Sequence, residues 1–468
     1  MIFHPQHFEK QEGFFSFRGD VCAVGHPVLN KPVFKELWKN FTYQSSTLTL
    51  TENDTCFFTL GKAQRASLDG CDYSIVIEPN GLCVCAKSEA ELIRGFMTLL
   101  DRFQAVDLNG ETVIRAECGI IRESAVIPNR MVHFCIFPET ELWELRRFVR
   151  LCGALKYTHI VLEFWGMLQY DCMKELAWSN GFTKEQIRPI IAEAKDLGME
   201  IIPMFNHWGH ATAGRVMHGK HVVLDQNPSL QTYFSEDGWC WDIRLPKVRA
   251  LLRQIRLELI DLCGEGSYFH IGCDEAYNYE FGQENMHTLC DFINEINGEL
   301  ALCDRRAIIW GDMLLYRYPH YAPSNKYTCN APTPEVERFF LEGLDKRIVI
   351  ADWQYRAPVA PVETCAVFKK AGFDCLLCPW DEGKPQIDAA LATVRSESLM
   401  GYMHTTWHTL SLGMPYVILM GIGGYGSVQE HTIVKVRPYT AALLRKVWPV
   451  NGDYERAGWS KRQVGFRW

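Results

Sequence analysis

The stretch SYFHIGCDE, residues 267–275, joins an apolar run to a glycine and then to two adjacent carboxylates. A short apolar run that ends at a turn residue predicts a buried strand over residues 267–272. Asp274 and Glu275 would then lie directly beyond the carboxyl end of that strand. Adjacent Asp-Glu pairs usually mark a solvated surface, so the pair alone is a weak indication of catalysis, and its position after a buried strand strengthens it.

Seven further apolar runs between residues 130 and 407 repeat the pattern, and the segments between them have helical periodicity. Residues 183–198, for example, place their apolar side chains on one helical face and end at Gly198. Alternating short strands and helices predict parallel β/α units, and eight of them predict a closed (β/α)₈ barrel of the α/β class. The predicted strands cover residues 130–136, 159–165, 199–205, 267–272, 306–312, 347–353, 374–380 and 401–407.

The first 120 or so residues have a different pattern, with short β-type runs separated by turn residues. The run IVIEPNGLCVCA, residues 75–86, predicts a hairpin, and residues 88–104 predict a helix that begins with a capping box at Ser88 and Glu91. We therefore predict a small non-catalytic α+β domain over residues 1–120. The barrel is predicted over residues 121–440, followed by a C-terminal helical tail over residues 441–468 that packs on the barrel.

Composition narrows the class of protein. The 468 residues are 47% hydrophobic and 22% charged, with a net charge of −8 and no block of Lys and Arg, which argues against a disordered chain and against nucleic acid as a partner. No secretory signal and no apolar run of about 18 residues is visible, so no membrane association is expected. Many of the 18 cysteines lie in apolar runs, including the C-x-x-C pair Cys375 and Cys378. We interpret them as reduced core residues of a cytoplasmic protein.

Polar and aromatic residues collect where the predicted strands end, which is where barrel enzymes place their reacting groups. Each of the last four predicted strands ends in or contains tryptophan near its carboxyl end. Aromatic faces suit the C–H faces of a pyranose, and glycosidic cleavage needs an acid together with a nucleophile or stabiliser. The polar and aromatic residues that lie in or just after the predicted strands, most of them near the carboxyl ends, are Arg130, Glu163, Asn206, His210, Asp274, Glu275, Trp310, Asp312, Trp353, Trp380, Asp381 and Trp407.

The segment HIGCDE, residues 270–275, resembles the His-x-Gly-Gly-Asp-Glu hallmark of glycoside hydrolase family 20, the β-N-acetylhexosaminidases, with Cys273 in place of the second glycine. The resemblance spans most of the chain. RGFMTLLDRFQ (94–104) resembles the helix of the family's non-catalytic domain, and IPNRMVHF (127–134) and IPMFNHWGHA (202–211) resemble its first and third barrel strands. VLEFWGMLQY (161–170) is similar to the second strand of the shorter, hexosaminidase D-like members.

The resemblance implies a retaining exo-β-N-acetylhexosaminidase that removes terminal β-linked GlcNAc or GalNAc. In that family the substrate's own acetamido oxygen attacks the anomeric carbon and forms an oxazolinium intermediate. Asp274 would orient the acetamido group and stabilise the positive charge, and Glu275 would act first as the acid and then as the base.

The resemblance also implies roles in substrate binding. Arg130 would hold the 3- and 4-hydroxyls of the sugar, His210 would join the carboxylate network, and Glu163 would lie near the pocket. Trp310, Trp353 and Trp407 would form aromatic walls. No metal and no cofactor is implied.

Three departures from the family pattern put sugar recognition in doubt. The strand-eight Trp-x-Glu reads Trp407-His408-Thr409, and the strand-seven Tyr-x-Asp reads Trp380-Asp381-Glu382, with Asp381 as the plausible substitute. Asn206 stands where an aspartate is common. The preference between GlcNAc and GalNAc therefore stays open.

Alternatives remain at this point. One is a dedicated β-N-acetylgalactosaminidase of a related barrel family, and another is an amino-sugar-binding barrel without catalysis. A metal site among His207, His210, His218 and His221 is a weaker alternative, because no close carboxylate pattern accompanies them. The predicted partner is a small molecule or oligosaccharide with a terminal N-acetylhexosamine, and a homodimer is left open.

Overall fold

Two β-sheets organise the chain, an open one over residues 7–123 and a closed barrel whose strands lie between residues 129 and 404. The computed structural model describes residues 5–65, 67–211, 223–317, 321–407, 410–426, 428 and 430–449. Of the predicted C-terminal tail, residues 450–468 lie outside the described residues. None of the helices in the described segments has the length and apolarity that crossing a bilayer requires.

The open sheet is antiparallel except where its strands β2 and β3 pair in parallel. Its strand order is β1-β8-β5-β6-β4-β2-β3, with β7 paired to β8. The strands are β1 (His7–Phe17), β2 (Val21–Gly25), β3 (Leu48–Glu52), β4 (Phe57–Gly61), β5 (Tyr73–Glu78), β6 (Gly81–Ala86), β7 (Gln104–Leu108) and β8 (Glu111–Glu123).

The predicted hairpin forms as β5 and β6, which pair antiparallel across the turn at residues 79–80. The predicted helix forms as α2 (Glu89–Arg102), and the side chain of Ser88 caps it by accepting the N–H of Glu91 at 3.4 Å. α2 packs its apolar face on β5 and β6, beside α1 (Pro32–Phe41). Strand β8 runs through residue 120, and the domain boundaries stay predictions.

All eight predicted barrel strands form, and they close into a parallel barrel in chain order. This confirms the predicted (β/α)₈ fold preceded by an α+β region. The strands are β9 (Asn129–Cys135), β10 (His159–Glu163), β11 (Glu200–Met204), β12 (Tyr268–His270), β13 (Arg306–Trp310), β14 (Val349–Trp353), β15 (Asp374–Cys378) and β16 (Gly401–His404).

Helices surround the barrel and end the described chain. The predicted helix over residues 183–198 forms as Lys184–Asp196, begins with a capping box at Thr183 and Gln186, and is followed by Gly198 at a φ of 75°. The helices are α3 (Leu142–Ala154), α4 (Lys184–Asp196), α5 (Val223–Gln226), α6 (Pro246–Cys263), α7 (Gln283–Ala301), α8 (Pro334–Gly343), α9 (Thr364–Lys370), α10 (Lys384–Ser396), α11 (Leu410–Gly423) and α12 (Ile433–Val447).

An apolar cluster occupies the inside of the barrel, and barrel enzymes carry their polar chemistry at the end where the strands finish. The interior cluster is Met131, Val161, Ile202, Met204, Ile308, Trp310, Val349, Ala351, Leu376, Cys378 and Met403. Cys378 belongs to this interior cluster, whereas Cys375 packs in the core between the barrel and its helices. The two thiols of the C-x-x-C pair therefore face opposite sides of β15, which agrees with their interpretation as core residues.

Candidate active site

The chain turns sharply just beyond β12, and this turn carries Asp274 and Glu275. Gly272 has a φ of 69°, and Cys273 and Glu275 have φ values of 76° and 50°. A Cβ at Gly272 would lie 1.9 Å from Oδ1 of Asn206, so a larger residue does not fit without a shift. Positive φ is uncommon outside glycine, and strained backbone of this kind collects at functional sites. This strained turn places both carboxylates at the carboxyl end of the barrel.

His210 connects the two carboxylates. Its Nε2 lies 2.9 Å from Oε2 of Glu275 and 3.4 Å from Oδ2 of Asp274. Asp274 is buried, whereas Glu275 is partly exposed. Trp239 packs on the imidazole with ring centroids 4.6 Å apart, and its Nε1 donates to the backbone oxygen of Glu275 at 2.6 Å. The three titratable groups form one unit, with Asp274 on its inner side and Glu275 on its outer side.

Asp312, just beyond β13, holds the backbone of this unit through a hydrogen bond. Its Oδ2 accepts the backbone N–H of Glu275 at 3.1 Å and Nδ2 of Asn330 at 2.8 Å. Its Oδ1 accepts Nε1 of Trp353 at 3.0 Å. Asp312 is 1% exposed. One buried carboxylate therefore fixes both the backbone of Glu275 and the ring of Trp353.

Electrostatics set these carboxyl groups apart from ordinary ones. Burial raises the pKa of Asp274 well above its usual value; His210 opposes this, and the charges of Asp312 and Glu275 add to it. Burial likewise raises the pKa of Asp312, against the hydrogen bond from the Glu275 backbone. Crowded carboxylates in a desolvated site favour any species that brings positive charge. The site is thus suited to a cationic transition state.

A second buried network lies on the other side of Asp274. Glu163, at the end of β10, pairs through Oε2 with Nε2 of His133 at 2.8 Å and accepts Nδ2 of Asn206 at 2.8 Å. Trp241 donates from Nε1 to the backbone oxygen of Asn206 at 2.9 Å. Glu163 and His210 line one small cavity of about 10 Å³. Glu163 therefore lies near the carboxylate pair and organises the residues around it.

Aromatic rings form the wall opposite the carboxylates. Tyr355, beyond β14, lies between Trp353 and Trp380 with ring centroids 4.9 and 5.3 Å away. Its hydroxyl accepts Nε1 of Trp407 at 2.6 Å. Trp310 is 1% exposed and lies deeper, with its ring 5.8 Å from that of Trp407. Trp310 belongs to the buried interior of the barrel and does not form an exposed wall of the site.

A cleft opens outward from Glu275. Its volume of about 810 Å³ is within the size range of ligand sites. Aromatic side chains at and just beyond the carboxyl ends of β14 and β15 line its inner part, and the loop after β13 lines its outer part. The lining residues are Glu275, Arg317, Tyr321, Ala322, Pro323, Asn325, Lys326, Tyr327, Thr328, Trp353, Tyr355, Arg356, Trp380 and Glu382.

Residues 161–328 match the family model described as glycosyl hydrolase family 20, catalytic domain. The predicted resemblance to glycoside hydrolase family 20 is confirmed. The prediction that the chain is a glycoside hydrolase is confirmed with it. No curated protein sequence matches the chain.

Solved family 20 structures share the fold at low identity. An exo-β-N-acetylglucosaminidase from Vibrio harveyi is 16% identical, with 95% of this chain and 76% of that chain covered and a TM-score of 0.67. A β-N-acetylhexosaminidase from Bacteroides fragilis is 13% identical, with 97% and 95% covered and a TM-score of 0.66. That from Streptomyces plicatus is 13% identical, with 97% and 94% covered and a TM-score of 0.63.

Arg130 corrects one expectation drawn from the family 20 resemblance. It is the second residue of β9, at the opposite end of the barrel from the carboxylates, and it is 1% exposed. Its guanidinium donates to the backbone oxygens of Ile127, Pro128 and Lys156 and to the hydroxyl of Tyr425. Arg130 therefore does not reach a sugar in the pocket, because it lies at the amino end of β9 and, beside the inward-facing Met131, points away from the barrel interior towards Tyr425.

The strand-seven and strand-eight departures from the family 20 pattern differ in outcome. Trp380 lines the cleft, but Asp381 is half-buried and is not among the described residues that line it. The charge of Asp381 adds to burial in raising the pKa of Tyr416 on α11. Its predicted role in holding the sugar gains no support from this placement. His408 and Thr409, the strand-eight departure, lie outside the described residues.

The structure describes His207 and His210 of the four histidines weighed as a metal site, and these two make different contacts. His207 is fully buried with Nδ1 2.6 Å from the backbone oxygen of Phe205, whereas His210 joins the carboxylates. His218 and His221 lie outside the described residues. His210, Asp274 and Glu275 have ligand atoms within 4.8 Å of one another, and the hydrogen bonds of His210 account for this closeness.

Several residues around the site were not assigned from the sequence. Asp312 was noted only as a strand-end residue, although that position was a usable signal. His133 stood as a single polar residue inside an apolar strand run, and Tyr355 followed the tryptophan of β14 by two positions. No sequence pattern marks Trp239 as a site residue, because it reaches the site from a long loop after β11.

Proposed function

We propose that this chain is a retaining exo-β-N-acetylhexosaminidase that acts by substrate-assisted catalysis. One observation carries the proposal: His210 joins a buried Asp274 to a Glu275 that faces the cleft. The two carboxyl groups are adjacent in sequence, but they are presented to different surroundings. This division matches the two roles that the reaction requires.

In the first step, the acetamido oxygen of the terminal sugar attacks its anomeric carbon while the glycosidic C–O bond breaks. Glu275 gives its proton to the departing oxygen, since it faces the cleft that holds the leaving group. Asp274 accepts the acetamido N–H and stabilises the positive charge of the oxazolinium ring. No enzyme atom becomes bonded to the sugar.

In the second step, ionised Glu275 removes a proton from water, and the water oxygen bonds to the anomeric carbon. The ring C–O bond to the acetamido oxygen breaks, which restores the acetamido group. Two displacements at one carbon give a product with retained configuration. Glu275 regains its proton, and the site returns to its initial state.

Sugar complexes of the similar structures support the substrate class. The Vibrio harveyi structure contains N-acetylglucosamine, and a Streptomyces plicatus mutant contains the product GlcNAc. We propose a terminal β-linked GlcNAc or GalNAc as the sugar removed here. Arg130 does not contact the pocket, so the 4-hydroxyl that separates these sugars is read by other groups. A dedicated β-N-acetylgalactosaminidase therefore stays an alternative within this proposal.

We also propose that the protein works in a reducing compartment such as the cytoplasm. All 18 cysteines are free thiols, and eleven of them are buried. Disulfides are rare where glutathione and thioredoxin keep thiols reduced.

The test is a panel of aryl β-glycosides of GlcNAc, GalNAc, glucose and galactose, with product configuration followed by NMR. We expect hydrolysis of the N-acetylated sugars alone, with retention. A second series replaces the acetyl group by fluoroacetyl and trifluoroacetyl groups, which weaken the acetamido nucleophile. A steep fall in kcat/KM along that series is expected, and a flat series would rule out substrate assistance. Binding without turnover of any glycoside would favour the amino-sugar-binding alternative.

A further inference from the structure

The outer part of the cleft carries basic side chains that the proposed reaction does not use. Arg317, Lys326 and Arg356 line it, and all three are exposed. The chain as a whole has a net charge of −8. The cleft therefore carries a local group of positive charges on a protein whose net charge is negative.

The carboxylates in the same lining offset only part of this positive charge. Arg356 lies 4.0 Å from Glu382, at the limit of an ion pair. Among the described residues, no carboxylate oxygen lies within 4.0 Å of the cationic groups of Arg317 or Lys326. Glu275 is the other acid of the lining, and it must be protonated when substrate binds if it is to serve as the acid.

The backbone holds two of the cations side by side. Lys326 and Arg356 are partners in an antiparallel bridge, and the N–H of Lys326 donates to the oxygen of Arg356 at 2.8 Å. Residues directly opposite in an antiparallel pair point to the same face, and like charges in such positions repel. An anion between them would relieve that repulsion.

Hydrogen bonds hold together the two loops that carry Lys326 and Arg356. Asn325 is 7% exposed, and its side chain donates to the backbone oxygen of Val359 and accepts the backbone N–H of the same residue, both at 3.1 Å. Its Nδ2 also donates to the hydroxyl of Tyr327 at 2.8 Å. These bonds tie the loop after β13 to the loop after β14. The backbone that carries the two cations is therefore held in place beside the cleft.

We propose that this cleft is an aglycone subsite for a sugar that bears an anionic group, either a carboxylate, a sulfate or a phosphate. The inference rests on the proposed function, because the cleft begins at Glu275 on the leaving-group side. The aromatic rings of Trp353, Tyr355 and Trp380 face the sugar, and Lys326 and Arg356 receive its anionic group, with Arg317 adding to the field. A low-dielectric wall strengthens such a field.

The test compares disaccharides that share a terminal β-N-acetylhexosamine and differ in the second sugar, which is neutral or carries a carboxylate, a 6-sulfate or a 6-phosphate. At low ionic strength we expect kcat/KM for at least one anionic disaccharide to exceed that of the neutral one roughly tenfold, and added salt to reduce this ratio. The three anionic arms identify which group is preferred. Equal values for all four disaccharides would overturn the proposal.

The variant is Lys326→Gln with Arg356→Gln, and we expect the ratio of anionic to neutral kcat/KM to fall to about one. The matched control is Lys35→Gln with Lys370→Gln, which removes the same charge from α1 and from the end of α9. Both control residues are exposed and lie away from the cleft. A ratio that falls equally in both double variants would also overturn the proposal.

A binding measurement separates this inference from the proposed function. If no disaccharide is hydrolysed, the proposed function fails, and calorimetric titration of the same four disaccharides then decides the subsite. Tighter binding of an anionic disaccharide that is lost in the Lys326 and Arg356 double variant supports it. Equal dissociation constants for neutral and anionic disaccharides reject it.

Discussion

The backbone N–H of Glu275 donates to Oδ2 of Asp312 at 3.1 Å, across the gap between β12 and β13. Glu275 has a φ of 50°, a conformation that needs support from its surroundings. Asp312 supplies this support and also orients Trp353 through Oδ1 at 3.0 Å. One buried carboxylate thus aligns the proposed acid with an aromatic wall.

Asp312→Asn is expected to lower kcat roughly tenfold to a hundredfold, since a small displacement of a reacting group has effects of this size. The amide would turn an N–H towards one of the three donors that now meet carboxylate oxygens. The control is Asp304→Asn at an exposed turn. An unchanged kcat in correctly folded Asp312→Asn would contradict the positioning role.

The pH dependence of kcat/KM should show an acidic limb well above the usual pKa of an aspartate. Burial raises the pKa of Asp274, so the group becomes ionised, and able to stabilise positive charge, only at higher pH. In Asp312→Asn one neighbouring negative charge is lost, so the pKa of Asp274 falls and the limb moves to lower pH. A limb that moves to higher pH in this variant would contradict the assignment.

Glu275→Gln removes the proton donor. For substrates with poor leaving groups we expect kcat to fall by about 10² to 10⁴, the usual contribution of general acid catalysis. Activated aryl substrates should lose less, because their leaving groups need little protonation. Glu265→Gln, at an exposed position, is the control. Normal turnover of a disaccharide by Glu275→Gln would remove the basis of the proposed mechanism.

Asp274→Asn should lower kcat strongly with little change in KM. The contact of Asp274 with the acetamido group gains strength as positive charge develops, so its loss is felt mainly in the transition state. Steady-state kinetics on an aryl N-acetylhexosaminide separate the two constants. A rise in KM with unchanged kcat would instead indicate a role in ground-state binding.

Arg130→Gln should destabilise the protein by about 2–4 kcal/mol, because buried backbone oxygens would lose their donors. Thermal unfolding measures the effect as a lower Tm. The KM of the folded variant should match that of the wild type, since Arg130 lies at the far end of β9. A large rise in KM without loss of stability would restore the sugar-binding role that the sequence suggested.

The eight strands were predictable from the sequence because each is a short apolar run between helical segments, and that pattern depends only on local residues. The carboxylate pair was predictable for the same reason, since the carboxyl ends of all strands in a parallel barrel lie at the same end, where the active site forms. The sugar-binding role of Arg130 was carried over from the family resemblance, although Arg130 is the first residue of the predicted strand 130–136. The register of β9 with β10 and β16 shows that Arg130 lies at the base of the barrel.

The sequence by itself determined the barrel, the turn HIGCDE and the family to which that turn points, because periodicity and strand-end position are local properties. The tertiary structure alone decided that Asp312 holds Glu275 and that Lys326 opposes Arg356 beside the cleft. These two contacts join residues 37 and 30 positions apart. Such pairs meet only when the barrel closes, so no local pattern could reveal them.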